Sequence, residues 1–153
     1  WKCFFRGSNP ILMDTWNPLP GREDEVKAEG WIYLKGGITK DDRDFPEFEL
    51  IRKSMGQSRA WAQRVNLAGM VPHGELSSTR YCLADAGNEY LIYFPGNAEA
   101  KIDLRDAKGK FTAEWFIPLM NRTIVAPKLL SGGGYLEVES PTSLDAVLYL
   151  KRK

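Results

Sequence analysis

Residues 81–94, read YCLADAGNEYLIYF, constrain the fold of this chain more than any other stretch. The second half, Glu89–Phe94, is rich in aromatic and β-branched residues, which favour strands. Residues 85–88 have turn chemistry, since Gly87 or the Asn that follows it can adopt a positive φ. Pro95 ends the second arm. The stretch therefore predicts a β-hairpin, with Tyr81 starting its first arm.

The chain after this hairpin alternates apolar and polar residues with the period of two that is typical of strands. Alternation or turn signals predict further strands at 98–104, 110–116, 121–125, Tyr135–Glu139 and 146–150, with a flexible glycine-rich turn at 131–134 and a solvated tail at 151–153. Strands this short and this closely spaced are typical of a sandwich of antiparallel sheets. We therefore predict a β-sandwich at 76–153, in which these side chains are largely buried: Ile102, Leu104, Phe111, Trp115, Val138 and Leu148.

The chain before the hairpin has a different pattern. Residues 1–6 read as the end of a helix with Gly7 as its C-cap, and residues 9–13 are an apolar run typical of a buried parallel strand. A capping box at 44–47 then begins a helix that runs to about Val65. Its apolar face holds Phe48, Ile51, Met55, Ala62 and Val65. We expect all of these except Ala62 to be buried, partly against the sandwich or against a second chain. The fold class is therefore α+β, one β/α unit at 1–75 followed by the β-sandwich at 76–153.

Composition excludes several classes of function. The formal net charge is +1, which gives no electrostatic reason to bind nucleic acid or an anionic membrane surface. No apolar run approaches the ~20 residues of a membrane-spanning helix. Cys3 and Cys82 are the only two cysteines, and neither has a neighbour at metal-ligand spacing. We therefore expect no metal, no cofactor, no nucleic acid partner and no membrane partner, and the cysteines do not set the compartment.

Candidate catalytic residues are few. His73 is the only histidine, and with Ser77 or Ser78 and Asp85 it could form a hydrolytic triad, but the chain lacks a G-x-S-x-G nucleophile elbow. We expect His73 to be a linker residue and Cys82 to be a small buried hydrophobe. The acidic runs at 23–25 and 41–44 read as solvated faces. An exposed subset of the strand aromatics could bind glycan. Those aromatics are Tyr81, Tyr90, Tyr93, Trp115, Tyr135 and Tyr149.

Three motifs, RGSNPILMD at 6–14, MGQSRAWA at 55–62 and YCLADAGNEYLIYFPG at 81–96, resemble the C-terminal end of apiosidase-like bacterial glycoside hydrolases. In that family a (β/α)8 barrel precedes a small β domain that carries a collagen-binding label. The resemblance implies that residues 9–13 are the eighth barrel strand and the helix is the last barrel helix. It also implies that the catalytic carboxylates lie on earlier barrel strands, so no catalytic residue is assigned here.

The resemblance directs attention to the loop that follows residues 9–13, because barrel enzymes place their sites at the C-terminal ends of strands. Trp16 could stack on a sugar ring and Asp14 could accept hydrogen bonds from its hydroxyls. Trp31 and Tyr33 could line a sugar cleft, although partial burial in the core explains them equally well. An ordinary loop with a packed Trp remains the alternative for Trp16.

Three functions remain open. The chain is the C-terminal part of a glycoside hydrolase whose β domain braces the barrel and contacts glycan, a stand-alone carbohydrate-binding or adhesive module, or an independent small hydrolase. The first explains both halves of the chain and implies a carbohydrate partner and an extracellular or periplasmic location. Unpaired edges of residues 9–13 predict self-association where the rest of a barrel is lacking.

Overall fold

The computed structural model describes residues 1–8, 46–96 and 99–153, with side chains of the helix described from Leu50 onward. Within these ranges, Trp1–Ser8 belongs to the same compact unit as Ser54–Lys153. The predicted strand at 9–13 and the side chain of Phe48 lie outside the described residues. One α-helix, α1, spans Pro46–Arg64. Nine strands follow: β1 (Val71–Pro72), β2 (Cys82–Asp85), β3 (Glu89–Phe94), β4 (Glu99–Asp103), β5 (Lys110–Ile117), β6 (Arg122–Val125), β7 (Leu130–Ser131), β8 (Tyr135–Glu139) and β9 (Ala146–Arg152).

The predicted hairpin is confirmed and lies in the larger sheet. β2 and β3 pair antiparallel, with Cys82 opposite Ile92 and Asp85 opposite Glu89. Gly87 in the turn has a φ of 91°, as the sequence predicts. All six residues of β3 are buried, which explains why this strand reads as a continuous apolar run rather than an alternating one. A strand reads this way when both faces of its sheet are covered.

The strands form two antiparallel sheets in a sandwich-like arrangement. The large sheet has the order β1-β2-β3-β9-β5-β6, with β7 also paired to β5. The C-terminal strand β9 lies between β3 and β5, with Leu148 opposite Ile92 on one side and Trp115 on the other. The small sheet contains only β4 and β8. The α+β class predicted from the sequence is confirmed, with one described α-helix followed by antiparallel strands.

The first face of the large sheet, here called the strand-covered face, packs against the small sheet. Ile92 and Leu148 of the large sheet belong to one buried cluster. The cluster also contains Ala100 and Ile102 of β4, and Leu104, which directly follows β4. Leu136 and Val138 of β8 pack against this cluster and stay partly exposed. Ile102, Leu104, Phe111 and Leu148 are buried as predicted, whereas Trp115 and Val138 are only half-buried. Trp115 packs edge-on against Phe94 at a centroid distance of 4.9 Å, and Val138 lies in the two-stranded small sheet.

The opposite face, here called the helix-covered face, packs against the C-terminal half of α1 and the N-terminal segment. Trp61 and Val65 from the helix and Phe5 from the segment enter one cluster with Leu91 and Tyr149 of the sheet. Trp61 lies 5.5 Å from the Tyr149 ring and 5.7 Å from the Phe116 ring, measured between centroids. These edge-on and tilted ring pairs are the arrangements that aromatic quadrupoles favour.

The helix confirms part of its predicted apolar face. Val65, directly after its last residue, is buried, whereas Met55 and Ala62 are half-buried. Ile51 is 41% exposed, so its predicted burial within this chain is wrong, while burial against a second chain stays a prediction. Trp61, which the periodic pattern did not select, carries the packing instead. Trp61 lies four positions before Val65, so the two side chains lie on the same face and enter the same cluster.

Chain ends and turns differ from expectation in three places. Phe4–Arg6 is a single 3₁₀ turn rather than the end of an α-helix, though Gly7 caps it in the left-handed region as predicted. Strand β9 continues through Arg152, so Lys151 belongs to the sheet and not to a tail. The glycine-rich turn at 131–134 is tied to the fold by backbone hydrogen bonds: Gly132 to Gly109 and Gly133 to Leu104.

Candidate functional site

The four site residues selected from the sequence, Asp14, Trp16, Trp31 and Tyr33, all lie outside the described residues. Their predicted role in sugar binding therefore stays a prediction. The six strand aromatics, by contrast, lie within the described residues and differ in their exposure. Tyr90, Tyr93 and Tyr149 are buried and Tyr81 and Trp115 are half-buried, while Tyr135 is 51% exposed. Of these six rings, Tyr135 alone presents an open surface.

Tyr135 stands on the outer face of the small sheet. The pairing of β4 with β8 sets Asp103 opposite Tyr135 and Lys101 opposite Glu137. Side chains alternate across a strand, so these four point to the same side, away from the buried Ala100 and Ile102 layer. The outer face is therefore a flat surface that combines one aromatic ring with carboxylates and an ammonium group. We call it the Tyr135 surface, formed by Ser78, Lys101, Asp103, Arg105, Tyr135 and Glu137.

Two cations hold the Tyr135 ring in place. Lys101 Nζ lies 4.1 Å from the ring centroid, and the Arg105 guanidinium carbon lies 4.8 Å from it. Arg105 is itself fixed, because its Nη2 donates to Asp103 Oδ2 at 2.7 Å and its Nε to Asp103 Oδ1 at 3.0 Å. The Arg105 hydrogen bonds lower the pKa of Asp103, while Asp103 raises the pKa of Arg105. Both groups are thus charged at neutral pH.

The turn before Tyr135 explains why the ring occupies this position. A Cβ at Gly132 would lie 1.7 Å from the carbonyl oxygen of Ala107, so only glycine fits there. Gly133 has a φ of 86°, a conformation that other residues rarely adopt. Gly134 accepts a hydrogen bond from the Leu104 amide at 3.0 Å. The glycines therefore let the turn pack closely against the end of β4 and deliver Tyr135 opposite Asp103.

Two open grooves lie along the small sheet, and Tyr135 lines the smaller of them. One, of about 360 Å³, is lined by Tyr135, Asp103 and Arg80 among others, and its neighbour, of about 520 Å³, is lined by Glu99, Glu137 and Glu139 among others. The grooves share Ser78 and Lys101. Ser78 is fixed to the strand, since its amide donates to the Lys101 carbonyl and its hydroxyl accepts from the Lys101 amide, both at 3.0 Å. The joined grooves offer many hydrogen-bonding groups around one apolar ring, which suits a hydroxyl-rich ligand.

The hydrolytic triad considered from the sequence is not assembled. His73 Nδ1 pairs with Glu75 Oε1 at 2.7 Å, and Ser77 Oγ pairs with Thr79 Oγ1 at 3.0 Å. Within the part of the chain that the structure describes, no hydrogen bond joins His73 to Ser77, Ser78 or Asp85. The His73 hydrogen bond lowers the pKa of Glu75. Glu75 therefore remains an ionised surface carboxylate and is poorly suited to act as an acid near neutral pH.

Cys82 is the small buried hydrophobe that the sequence predicts. Its side chain is fully buried in the strand-covered face. Burial raises the pKa of its thiol to about 12, so the reactive thiolate is not populated at neutral pH. Residues 1–8, 46–96 and 99–153 contain no group of three or more potential His, Cys, Asp or Glu ligands placed to hold a metal ion. Over the same ranges, no helix has the length and apolarity needed to cross a membrane.

Sequence reasoning selected Tyr135 only as one of six aromatics and overlooked its neighbours Lys101, Asp103 and Arg105. A signal for them exists in the two alternating segments 99–103 and Tyr135–Glu139, each of which has one polar face. That signal becomes specific only when the two segments are known to pair, and strand pairing across thirty residues is not encoded locally.

Comparison with known proteins finds similarity in fold only. No family model matches the chain, and no curated protein matches it. A solved structure described as a glycoside hydrolase aligns over 79% of this chain and 30% of its own, with a TM-score of 0.59 and 11% identity. A glycoside hydrolase family 5 protein from Bacteroides vulgatus ATCC 8482 aligns over 65% of this chain and 24% of its own, with a TM-score of 0.55 and 13% identity. The chain thus spans less than a third of either structure, and it has a fold that occurs in glycoside hydrolases.

Proposed function

We propose that this chain is the C-terminal part of a carbohydrate-active glycoside hydrolase of the apiosidase-like kind, in which the β region braces a catalytic barrel. The fold likeness to two glycoside hydrolases, each more than three times as long as its matched part, supports the proposal. The motifs at 6–14, 55–62 and 81–96 support it independently. In this proposal residues 1–75 end the barrel and residues 76–153 form the accessory domain.

The observation that carries the proposal is the helix-covered face. Trp61 of α1 and Phe5 of the N-terminal segment, 56 positions apart in the sequence, both pack on the same face of the sheet. Phe5 lies 5.8 Å from the Tyr93 ring and Trp1 lies 5.9 Å from the Phe116 ring. A β module that served only to bind glycan would need no such cover, because its sheet could end in solvent. The extensive aromatic contact instead suits a β region built as a structural extension of the elements that precede it.

Polar contacts at the edges of this face add to its rigidity. Arg64 forms two hydrogen bonds with the Glu114 carboxylate at 2.5 Å and lies 4.5 Å from the Trp61 ring centroid. Gln57 Nε2 donates to the Pro118 carbonyl at 2.9 Å. These bonds tie the C-terminal half of α1 to β5 and to the turn after it, so this half of the helix is expected to move together with the sheet. A brace requires that property.

A second candidate, a stand-alone carbohydrate-binding module, is favoured by one observation, the exposed Tyr135 surface. This second candidate does not explain why α1 and the N-terminal segment make such extensive aromatic contact with the sheet. An independent hydrolase has less support, because the hydrolytic triad considered from the sequence is not assembled and the resemblance places the catalytic carboxylates on earlier barrel strands.

The test compares this 153-residue chain with the longer natural protein that contains it. Both are assayed on a panel of aryl glycosides and plant polysaccharides, and we expect turnover only from the longer protein. In the longer protein Trp61→Ala is expected to lower the thermal midpoint and the activity together, while the matched Trp61→Phe retains most of both. Turnover by the 153-residue chain that survives stringent purification would overturn the proposal. A longer protein whose activity is indifferent to Trp61→Ala would overturn the bracing role.

A further inference from the structure

We propose that the Tyr135 surface binds a neutral polysaccharide chain. The choice of ligand class rests on the proposed function, whereas the site itself rests on the geometry of the small sheet. Three features support this assignment: the position of the Tyr135 ring, the charge of the grooves, and the alignment of the grooves along β4.

The Tyr135 ring is pre-organised for stacking. Asp103 fixes Arg105, and the fixed guanidinium carbon lies 4.8 Å from the ring centroid, so Arg105 restrains the ring. An immobilised ring loses little conformational entropy when a ligand binds, and pre-organisation of this kind increases affinity. Lys101 is exposed and is held to the ring only by a cation–π contact, which is weak at exposed sites. A sugar ring can therefore displace the ammonium group and stack its apolar C–H face on Tyr135.

The charge of the grooves selects against acidic ligands. Five carboxylates line them, and Arg80 and Lys101 are the two cations among the lining residues. Even with the adjacent Arg105 the joined grooves carry more negative than positive charge, so a uronic acid polymer would be repelled. A neutral sugar meets no such penalty, because carboxylates accept hydrogen bonds from its hydroxyls while Lys101 and Ser78 can donate to its oxygens. The five carboxylates belong to Glu75, Glu99, Asp103, Glu137 and Glu139.

The alignment of the grooves suits a chain rather than a single sugar. They share Ser78 and Lys101 and together follow β4, a strand of five residues that extends roughly 17 Å at about 3.3 Å per residue. Both are open to solvent along this length. A polymer can lie along the strand, with Tyr135 at one end of its path and Glu139 at the other. It need not thread through a closed tunnel.

The experiment titrates the 153-residue chain with cellohexaose, xylohexaose and arabinohexaose, and with hexagalacturonate as the acidic comparison, by calorimetry and NMR. We expect binding of at least one neutral oligosaccharide and weaker or no binding of hexagalacturonate. Tyr135→Ala is expected to weaken the neutral interaction about tenfold, in line with the loss of one aromatic stacking contact. Tyr135→Phe keeps the ring and should retain the affinity. Leu119→Ala, at an exposed apolar position elsewhere, is the matched control and should change nothing.

A charge-reversed variant tests selectivity. Glu137→Lys combined with Glu139→Lys should raise the affinity for hexagalacturonate relative to the neutral sugars, and circular dichroism checks that the fold is retained. Three results overturn the inference: no neutral oligosaccharide binds, binding is unchanged in Tyr135→Ala, or the unmodified chain prefers hexagalacturonate. If these occur while the longer protein still hydrolyses glycosides, the proposed function stands without this site. Tyr135-dependent binding with no hydrolysis by the longer protein would support the site and refute the hydrolase.

Discussion

The two faces of the large sheet are covered in different ways. The strand-covered face meets β4 and β8, and its centre is filled by Ile92, Leu148 and Leu150 together with Phe111. The helix-covered face meets α1 and the N-terminal segment, and aromatic rings dominate it. Two ion pairs involve side chains on the second face, Arg64 with Glu114 and Glu89 with Lys151, whereas the Arg105–Asp103 pair lies on the outer face of the small sheet. One face is therefore held by apolar packing alone, and the other by packing plus ion pairs that pH and salt can alter.

The largest expected effect is on the strand-covered face. Phe111→Ala removes a fully buried ring that packs edge-on against Tyr90 at a centroid distance of 5.9 Å. We expect a loss of about 3–5 kcal/mol in the free energy of unfolding, because the cavity lies where surrounding strands cannot collapse into it. Urea denaturation measures this, with the exposed Leu119→Ala as control. A loss no larger than that of the control would show that this face is not the main core.

Trp61→Ala tests the helix-covered face. The ring is 4% exposed and contacts Phe116 and Tyr149. We expect a loss of about 3 kcal/mol, at the lower end for Trp to Ala, since α1 can shift to fill part of the space. Hydrogen exchange should show faster exchange of α1 amides than of β3 amides. Equal acceleration in both elements would mean that the two faces unfold together and the comparison fails. Trp115→Ala is expected to lower the free energy of unfolding by less than Trp61→Ala does, because the Trp115 ring is only half-buried.

The ion pair of the helix-covered face gives a smaller effect. A double-mutant cycle with Arg64→Met and Glu114→Gln should yield a coupling of about 1 kcal/mol or less, because the Arg64 side chain is 45% exposed and water weakens the attraction. High salt should reduce the coupling further. Phe111→Ala should show no comparable salt dependence. Coupling that persists unchanged in high salt would place its origin in the stacking of Arg64 on Trp61 instead.

The smallest expected effect is a dependence on pH at Glu89. Burial alone would raise the pKa of Glu89, but hydrogen bonds from Lys151 Nζ, the Asn66 amide and the Tyr149 hydroxyl outweigh it, and the pKa is lowered. A lowered pKa in the folded state stabilises the protein above the ordinary Glu value of 4.5, and this contribution is lost as pH falls through the folded pKa.

Glu89→Gln should therefore flatten the fall in stability in the acid range, and Tyr149→Phe should flatten it partly. Thermal melts between neutral pH and the acid range measure the slopes. An unchanged slope in Glu89→Gln would assign the acid sensitivity of this face to another carboxylate.

Much of the strand-covered face could be predicted from the sequence. The turn at 85–88, the alternation at 110–116 and the burial of Ile102, Leu104 and Leu148 all follow from local patterns, because a strand with one covered face must alternate. The exact bounds of β8 were predicted for the same reason. Strands β1 and β7 were not, since two residues are too few to show a period. The burial of Trp115 was overestimated because alternation gives the face on which a residue lies and not how completely that face is covered.

The sequence by itself determined the α+β class, the central hairpin, the Gly7 cap and the buried state of Cys82, because each follows from interactions within a few residues. Tertiary structure alone decided that β9 separates β3 from β5, that Trp61 rather than Ile51 covers the sheet, and that Tyr135 stands between Lys101 and Arg105 opposite Asp103. These arrangements join residues that are distant in the chain. Their energies depend on burial and on geometry that appears only when the strands pair, so no local pattern encodes them.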